Sequence, residues 1–268
     1  MKTIVVDVSK CIGCYNCQLA CKDEQSGNTW LPIAREQPLG HFWMKVTQTE
    51  RGTNPKIVVD RIPLLCQHCE NPLCQAACRD SAIYQRDDGI VLIDPEKCTG
   101  CQDCIEACPY GVIYTNAELH ICQKCTLCAH LLDDGWKEPR CVTACPTGAL
   151  TFGEPEELAG VIIQSEELLP ESGAKPHIKY LNLPKPFIAG EVVSPKENIC
   201  IENAVVTVKD NLSGETVQVQ TDNYGDFWVK NLKGSAYSLT IAKEGYYPKE
   251  IRNVLTDLNV GEIRLYKR

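Results

Sequence analysis

Seventeen cysteines lie between Cys11 and Cys145, and in a chain of 268 residues that placement constrains the fold more than any other feature. Only Cys200 stands outside the segment. The seventeen form four blocks. Block one is Cys11, Cys14, Cys17 and Cys21, spaced C-x2-C-x2-C-x3-C. Block two is Cys66, Cys69, Cys74 and Cys78, with a four-residue central gap. Block three, Cys98, Cys101, Cys104 and Cys108, repeats the spacing of block one. Block four holds Cys122, Cys125, Cys128, Cys141 and Cys145. Blocks three and four close on similar phrases, Ala107-Cys108-Pro109-Tyr110-Gly111 and Ala144-Cys145-Pro146-Thr147-Gly148. These are internal repeats of one small metal-binding unit.

The spacing has a physical reason. Three cysteines at i, i+3 and i+6 sit on a tight loop that wraps one corner of a cubane cluster. The fourth, after a gap of three residues, is expected to begin a short helix, face away and reach a neighbouring cluster. The proline after it suits a first helical turn. Zinc sites more often pair two Cys-x2-Cys motifs a dozen or more residues apart, so [4Fe–4S] clusters fit better. Close Cys-x2-Cys pairs suit a disulfide network poorly. No apolar run with a small-residue cleavage site opens the sequence, and no twin-arginine pair. That reading predicts a reducing, cytoplasmic setting, unless a partner carries the export signal. No apolar run is long enough to insert in a membrane. A net charge of −8 leaves no basic footprint, which excludes nucleic acid as a partner.

Four cubanes take sixteen thiolates, so one of the seventeen is spare. In block four either Cys122, Cys125 and Cys128 form the triplet, or Cys125, Cys128 and Cys141 do. The second choice is preferred, because Cys141 and Cys145 keep the x3 gap of the other blocks. Cys200 is expected to be a buried small side chain. His68, inside block two, reads as an outer or surface residue. His41, His120, His130 and His177 lack ligand spacing and receive no role. Lys10, Lys97 and Lys124 each precede a block cysteine. They either raise a cluster's potential by offsetting charge or are solvated surface residues. Each oxidised cluster with its thiolates carries about −2, which would bring the chain to roughly −16.

The phrases Leu65-Cys66-Gln67-His68-Cys69-Glu70-Asn71-Pro72-Leu73-Cys74, Asp88-Gly89-Ile90-Val91-Leu92-Ile93-Asp94-Pro95-Glu96-Lys97-Cys98 and Gln123-Lys124-Cys125-Thr126-Leu127-Cys128 resemble the iron–sulfur electron-transfer subunits of the DMSO-reductase-type molybdopterin enzymes. The resemblance implies a ferredoxin-like α+β domain with a double [4Fe–4S] repeat, whose blocks pair one with four and two with three. Cys11, Cys14, Cys17 and Cys145 would hold one cluster, and Cys125, Cys128, Cys141 and Cys21 its pair. Cys66, Cys69, Cys74 and Cys108 would hold the third, and Cys98, Cys101, Cys104 and Cys78 the fourth. It also implies a large catalytic partner subunit that carries the molybdopterin cofactor, with no catalytic residue on this chain.

After Phe187 the rhythm changes to period two. Ala204, Val206 and Val208 alternate with polar or outward positions, as do Val217 with Val219 and Leu239 with Ile241. Turn signals separate the runs, which predicts an antiparallel β-sandwich. Gly190-Glu191-Val192, Thr221-Asp222 through Gly225-Asp226-Phe227 and Gly245-Tyr246-Tyr247-Pro248 resemble the prealbumin-like or carboxypeptidase-regulatory-like sandwich. The expected division is therefore 1–152 for the cluster domain, 153–186 for an extended linker and 187–268 for the sandwich. A short acidic helix running to about Leu169 should open the linker, before its prolines stretch it. A four-block domain with such a sandwich, and the phrase Gly40-His41-Phe42-Trp43-Met44, resemble the transhydroxylase branch of the family, which acts on polyhydroxylated benzenes. In that branch one block is degraded, whereas all four are complete here. A respiratory relay subunit and a free polyferredoxin are the other two readings.

Overall fold

The computed structural model describes residues 2–234 and 236–268. The chain divides into two units, residues 1–48 with 61–183, and residues 49–60 with 184–268. Both are mainly β, and among the described residues short helices occur in the first only.

In the first unit, β1 (Thr3–Asp7) is followed by block one and α1 (Asn16–Gln25). The hairpin β2 (Lys45–Thr53) and β3 (Lys56–Leu64) leads to block two and α2 (Leu73–Ala76). A second hairpin, β4 (Ile83–Gln85) and β5 (Val91–Ile93), precedes block three and α3 (Asp103–Glu106). A third, β6 (Ile113–Asn116) and β7 (Ile121–Lys124), enters block four. Then come α4 (Ala129–Asp133), α5 (Arg140–Thr143), β8 (Leu150–Gly153), α6 (Ala159–Ile162) and β9 (Lys179–Leu181). Helix α1 packs on α5 and α2 on α3, so the first block meets the fourth and the second meets the third. Ile4, Val6, Trp43, Met44, Leu65, Leu92 and Leu127 form the apolar core, and block cysteines belong to that same core.

Two local expectations change. The short helices begin just before the third cysteine of a block, at Cys17, Cys74, Cys104 and Cys141, and not at the fourth. Pro109 and Pro146 therefore follow α3 and α5 and stop them. Residues 153–183 are not an extended linker. Strand β9 pairs in parallel with β1, opposite β8, and Ile178 and Tyr180 are fully buried. The Tyr180 hydroxyl donates to the Pro63 carbonyl at 3.1 Å. Burial of apolar side chains at alternate positions decides against the stretching effect of the prolines. The helix expected to reach Leu169 ends at Ile162, because Glu166 pairs with Tyr180 through both main-chain groups.

The second unit is a two-sheet sandwich. One sheet has β10 (Ile188–Ser194) at its centre, bonded to β11 (Ile199–Cys200) and β14 (Asp226–Val229) on one side and to β17 (Leu258–Arg264) on the other. The other sheet runs β13 (Thr216–Gln220), β12 (Val205–Asp210), β15 (Ala236–Ala242), β16 (Lys249–Leu255). The sandwich is not wholly antiparallel, since β10 and β17 run parallel across a long connection. Val206, Val208, Leu239 and Ile241 point inward as their alternation predicts. Val217 does not, because β13 is an edge strand and leaves it exposed. Residues 49–60, the outer end of the first hairpin, belong with this unit. Arg51 bonds Asp60 and reaches Asp257 at 2.5 Å, and Lys56 reaches Asp226 at 2.6 Å.

Leu239 is fully buried at the centre of this core. Leu239→Ala should cost about 2–5 kcal/mol through lost transfer energy and the cavity left behind. Urea unfolding followed by tryptophan fluorescence measures it; a loss under about 1 kcal/mol would mean the core collapses to fill the gap.

Candidate metal centres

Each block begins with the same backbone device. Counting Cys125 as the first ligand of block four, the residue before the second ligand is left-handed in all four: Gly13 (φ 70°), His68 (φ 42°), Gly100 (φ 72°) and Leu127 (φ 53°). That turn brings its own N–H back onto the first cysteine. Gly13 donates to Cys11, Gly100 to Cys98 and Leu127 to Cys125, the last at 3.3 Å. Consecutive turned amides of this kind make a concave, anion-seeking loop. Glycine is required at Gly100, where a Cβ would stand 2.4 Å from the His120 carbonyl oxygen; at Gly13 it would meet the Arg61 side chain, which can move aside.

The loops gather thiols from distant parts of the chain. Cys11, Cys14, Cys17 and Cys145 line one recess, walled by Val46, Pro63 and Leu150. Cys66, Cys69, Cys74 and Cys108 line another, with Leu73, Val91 and Tyr110. Cys141 is surrounded by Cys128, Cys125 and Cys21 in the buried core between α1 and α5, with Cys17 also close. Cys98, Cys104 and Cys78 share a small apolar cluster with Cys122, and Cys74 and Cys108 pack against the same cluster. Beside them Arg79 makes a two-pronged bond to Asp103, at 2.6 and 2.8 Å, next to the exposed Cys101.

Burial makes these thiols weak acids. It pushes Cys17 up to about 11 and Cys21 up to about 12, against amide donors from Gln18 and Met44. Cys69 is pushed up to about 12 and Cys74 to about 11, by burial first and then by neighbouring thiols. Cys125 and Cys141 stand well above the ordinary thiol value for the same reasons. Cys145 goes the other way. Burial raises it, but the amides of Leu150, Thr147 and Ala149 and the Thr147 hydroxyl together hold it below the usual range. All-sulfur donor sets select soft metals, and a metal takes the thiolate, so binding displaces the proton. Cysteine triplets closed by a cysteine of another block, with N–H groups turned onto the first sulfurs, fit an iron–sulfur cube.

The remaining predicted residues separate clearly. Cys141 lies with Cys125, Cys128 and Cys21, whereas Cys122 lies beside block three. Its amide donates to Cys98 Sγ at 3.3 Å, and its thiol meets those of Cys98 and Cys104. Cys200 is exposed on β11, with Sγ 3.7 Å from Glu191, and is not the buried side chain expected; a two-residue edge strand offers it no cover. His68 is fully buried rather than at the surface. Lys10 and Lys97 are exposed and pair with Asp7 and Asp94, while Lys124 is buried. Sequence reasoning gave no role to His130, yet its Nε2 lies 3.0 Å from Glu24 beside Cys128 and its ring stacks on Trp30. Nothing in the spacing marks it, because the partners come from separate segments. The amide of Met44 on Cys21 was signalled only by the family likeness of residues 40–44.

Residues 57–155 match the family model of the 4Fe-4S dicluster domain, and residues 188–262 that of the carboxypeptidase regulatory-like domain. The chain is 38% identical over 252 residues to the pyrogallol hydroxytransferase small subunit of Pelobacter acidigallici, covering 90% of each. It is 34% identical over 195 residues to a tetrathionate reductase subunit of Salmonella typhimurium, covering 69% of this chain and 74% of that one. It is 35% identical over 195 residues to a sulfite dehydrogenase subunit of Allochromatium vinosum, covering 66% and 81%.

Two outcomes follow from the geometry. Gly100→Ala should empty block three and leave the other sites loaded, because the added Cβ meets main chain that cannot rotate away. The signal is a drop in bound iron of about four atoms per chain; full iron content would show that the loop can relax. Thiols raised to about 11–12 are protonated at neutral pH, so metal uptake must release protons. Reconstitution of the metal-free chain should therefore become more favourable as pH rises, and pH-independent uptake would contradict the burial of these groups.

Proposed function

The chain belongs to the iron–sulfur electron-transfer subunits of the molybdopterin enzymes, and on that footing we propose that it holds four [4Fe–4S] clusters in a double ferredoxin-like layout. The sets are Cys11, Cys14, Cys17 and Cys145; Cys125, Cys128, Cys141 and Cys21; Cys66, Cys69, Cys74 and Cys108; and Cys98, Cys101, Cys104 and Cys78. The observation that carries this reading is the meeting of each triplet with a cysteine of another block, above all Cys145 beside Cys11, Cys14 and Cys17. Each cluster, when bound, takes or gives one electron. The chain's own residues fix the spacing, exclude water with the apolar core and turn N–H groups onto the sulfurs, which tunes the potential at each site. Cys122 is not a ligand in this scheme.

Electrons pass between these sites and a large molybdopterin-binding catalytic subunit, with which the chain forms a heterodimer in the cytoplasm. The complex acts as a transhydroxylase on polyhydroxylated benzenes. Support comes from a match to the pyrogallol hydroxytransferase small subunit over 90% of both chains, while the other two relatives cover about two thirds of this one. A second reading, a relay subunit of a respiratory reductase, is favoured by the likeness to the tetrathionate reductase of Salmonella typhimurium. Among the described residues no helix is long and apolar enough to cross a membrane.

Iron, acid-labile sulfide and molybdenum analysis of the purified complex tests the proposal. About 16 iron atoms per chain are expected, and about 12 would mean an empty set. Cys122→Ser should keep the full iron content, whereas Cys141→Ser should lose about four atoms or leave a three-iron remnant; the reverse pattern would overturn the ligand choice in block four. Conversion of pyrogallol without an external electron acceptor separates the transhydroxylase from the reductase, which instead needs an electron donor and tetrathionate or a similar oxidant.

A further inference from the structure

The three lysines that precede block cysteines differ sharply in setting. Lys10 and Lys97 are more than half exposed, and carboxylates lie at 3.5 and 3.2 Å. Lys124, at the end of β7, is 2% exposed. Its Nζ donates to the main-chain carbonyls of Val91 and Cys125, the second at 3.2 Å, and among the described residues no carboxylate pairs with it. On one flank is Cys125, which stands with Cys21, Cys128 and Cys141. On the other is the Cys74 thiol, within electrostatic reach of the ammonium and grouped with Cys66, Cys69 and Cys108. These two groups are themselves neighbours, since Cys125 feels the Cys66 thiol.

A second polar side chain is tied to the same residue of β5. The Val91 N–H donates to His68 Nδ1 at 3.1 Å. The ring proton therefore stands on Nε2, which is buried without a protein partner on a ring lining the Cys66 group's space. An ammonium removed from water and held only by neutral carbonyls is costly unless an anion lies close. Loaded thiolate groups on both flanks, each about −2, supply that anion.

The geometry points to Lys124 as an electrostatic bridge between these two cluster sites, a positioning residue whose single charge raises the reduction potential of both above what their thiolates alone would set. The inference rests on the four-cluster reading. A cation stabilises the reduced, more negative state of each neighbour, and Lys124 stands where the first-and-fourth-block pair adjoins the second-and-third-block pair. Lys10 and Lys97 do not share the role, because water and a carboxylate screen each of them.

The test is a redox titration of the intact complex monitored by electron paramagnetic resonance, with iron content measured on the same samples. In Lys124→Met, two of the four centres should move to lower potential while the other two hold. Lys124→Arg, which keeps the charge, should titrate close to the unaltered complex, and Lys97→Met should move none of the centres appreciably. No shift in Lys124→Met, or an equal shift of all four centres, overturns the proposal. Should Lys124→Met lose iron, Lys124→Gln keeps a donor for the carbonyls without the charge and carries the same expectation; unchanged potentials there overturn it equally. Failure of the four-cluster reading registers separately, as fewer than four reducible centres in the unaltered complex, and would take the bridge with it.

Discussion

Thiols from opposite ends of the first unit must meet for its fold to exist. Cys145 closes on Cys11, Cys14 and Cys17, and Cys21 closes on Cys125, Cys128 and Cys141, across more than a hundred residues of chain. Closing so long a loop costs little more than closing a short one, because the entropy grows only with the logarithm of length. What is costly is leaving sulfur and amide dipoles buried with nothing to bind. The helices are single turns apart from α1, and the hairpins are three or four residues long apart from the first. None of these pieces would persist alone. The apolar core, the helix pairs and the turned loops therefore share the same sulfur-lined spaces, so metal binding there adds to the stability of the fold.

The two units illustrate different balances of forces. The sandwich is held by ordinary alternation, with Val206, Val208, Leu239 and Ile241 facing a continuous core. The cluster unit buries polar groups instead and satisfies only part of them locally: N–H to sulfur in the block loops, three amides and a hydroxyl on Cys145, and His130 Nε2 against Glu24. Others, such as Trp43 Nε1, His68 Nε2 and Tyr110 Oη, are buried without a protein partner.

Much of this was legible in the sequence. Spacing identified the [4Fe–4S] chemistry and the change of rhythm after Phe187, and the grouping of Cys141 with Cys125 and Cys128 agrees with the choice made in block four. What escaped it was decided by partners remote in sequence. Residues 170–186 carry prolines that argue for an extended arm, but Ile178 and Tyr180 find a core and β9 finds β1. Cys200 looked like a buried side chain because its exposure depends on how short β11 is. The parallel pairing of β17 with β10 cannot be inferred from period two, which is the same for both directions. Lysines 10, 97 and 124 look alike beside their cysteines, and only the packing of β7 against β5 distinguishes the third.

The left-handed residue that opens each block has a consequence for direction. A row of identical sites would be level, and an electron on it would have no preferred way to go. All four blocks share the left-handed slot, which holds glycine in two, histidine in one and leucine in one. At Gly100 the main chain leaves no room for a side chain, whereas the slots at His68 and Leu127 carry one. The repeated loop thus yields a polar wall at His68, an apolar one at Leu127 and bare backbone at Gly13 and Gly100. Four sites with the same kind of ligand are in this way not surrounded alike, and surroundings are one of the terms that set a potential.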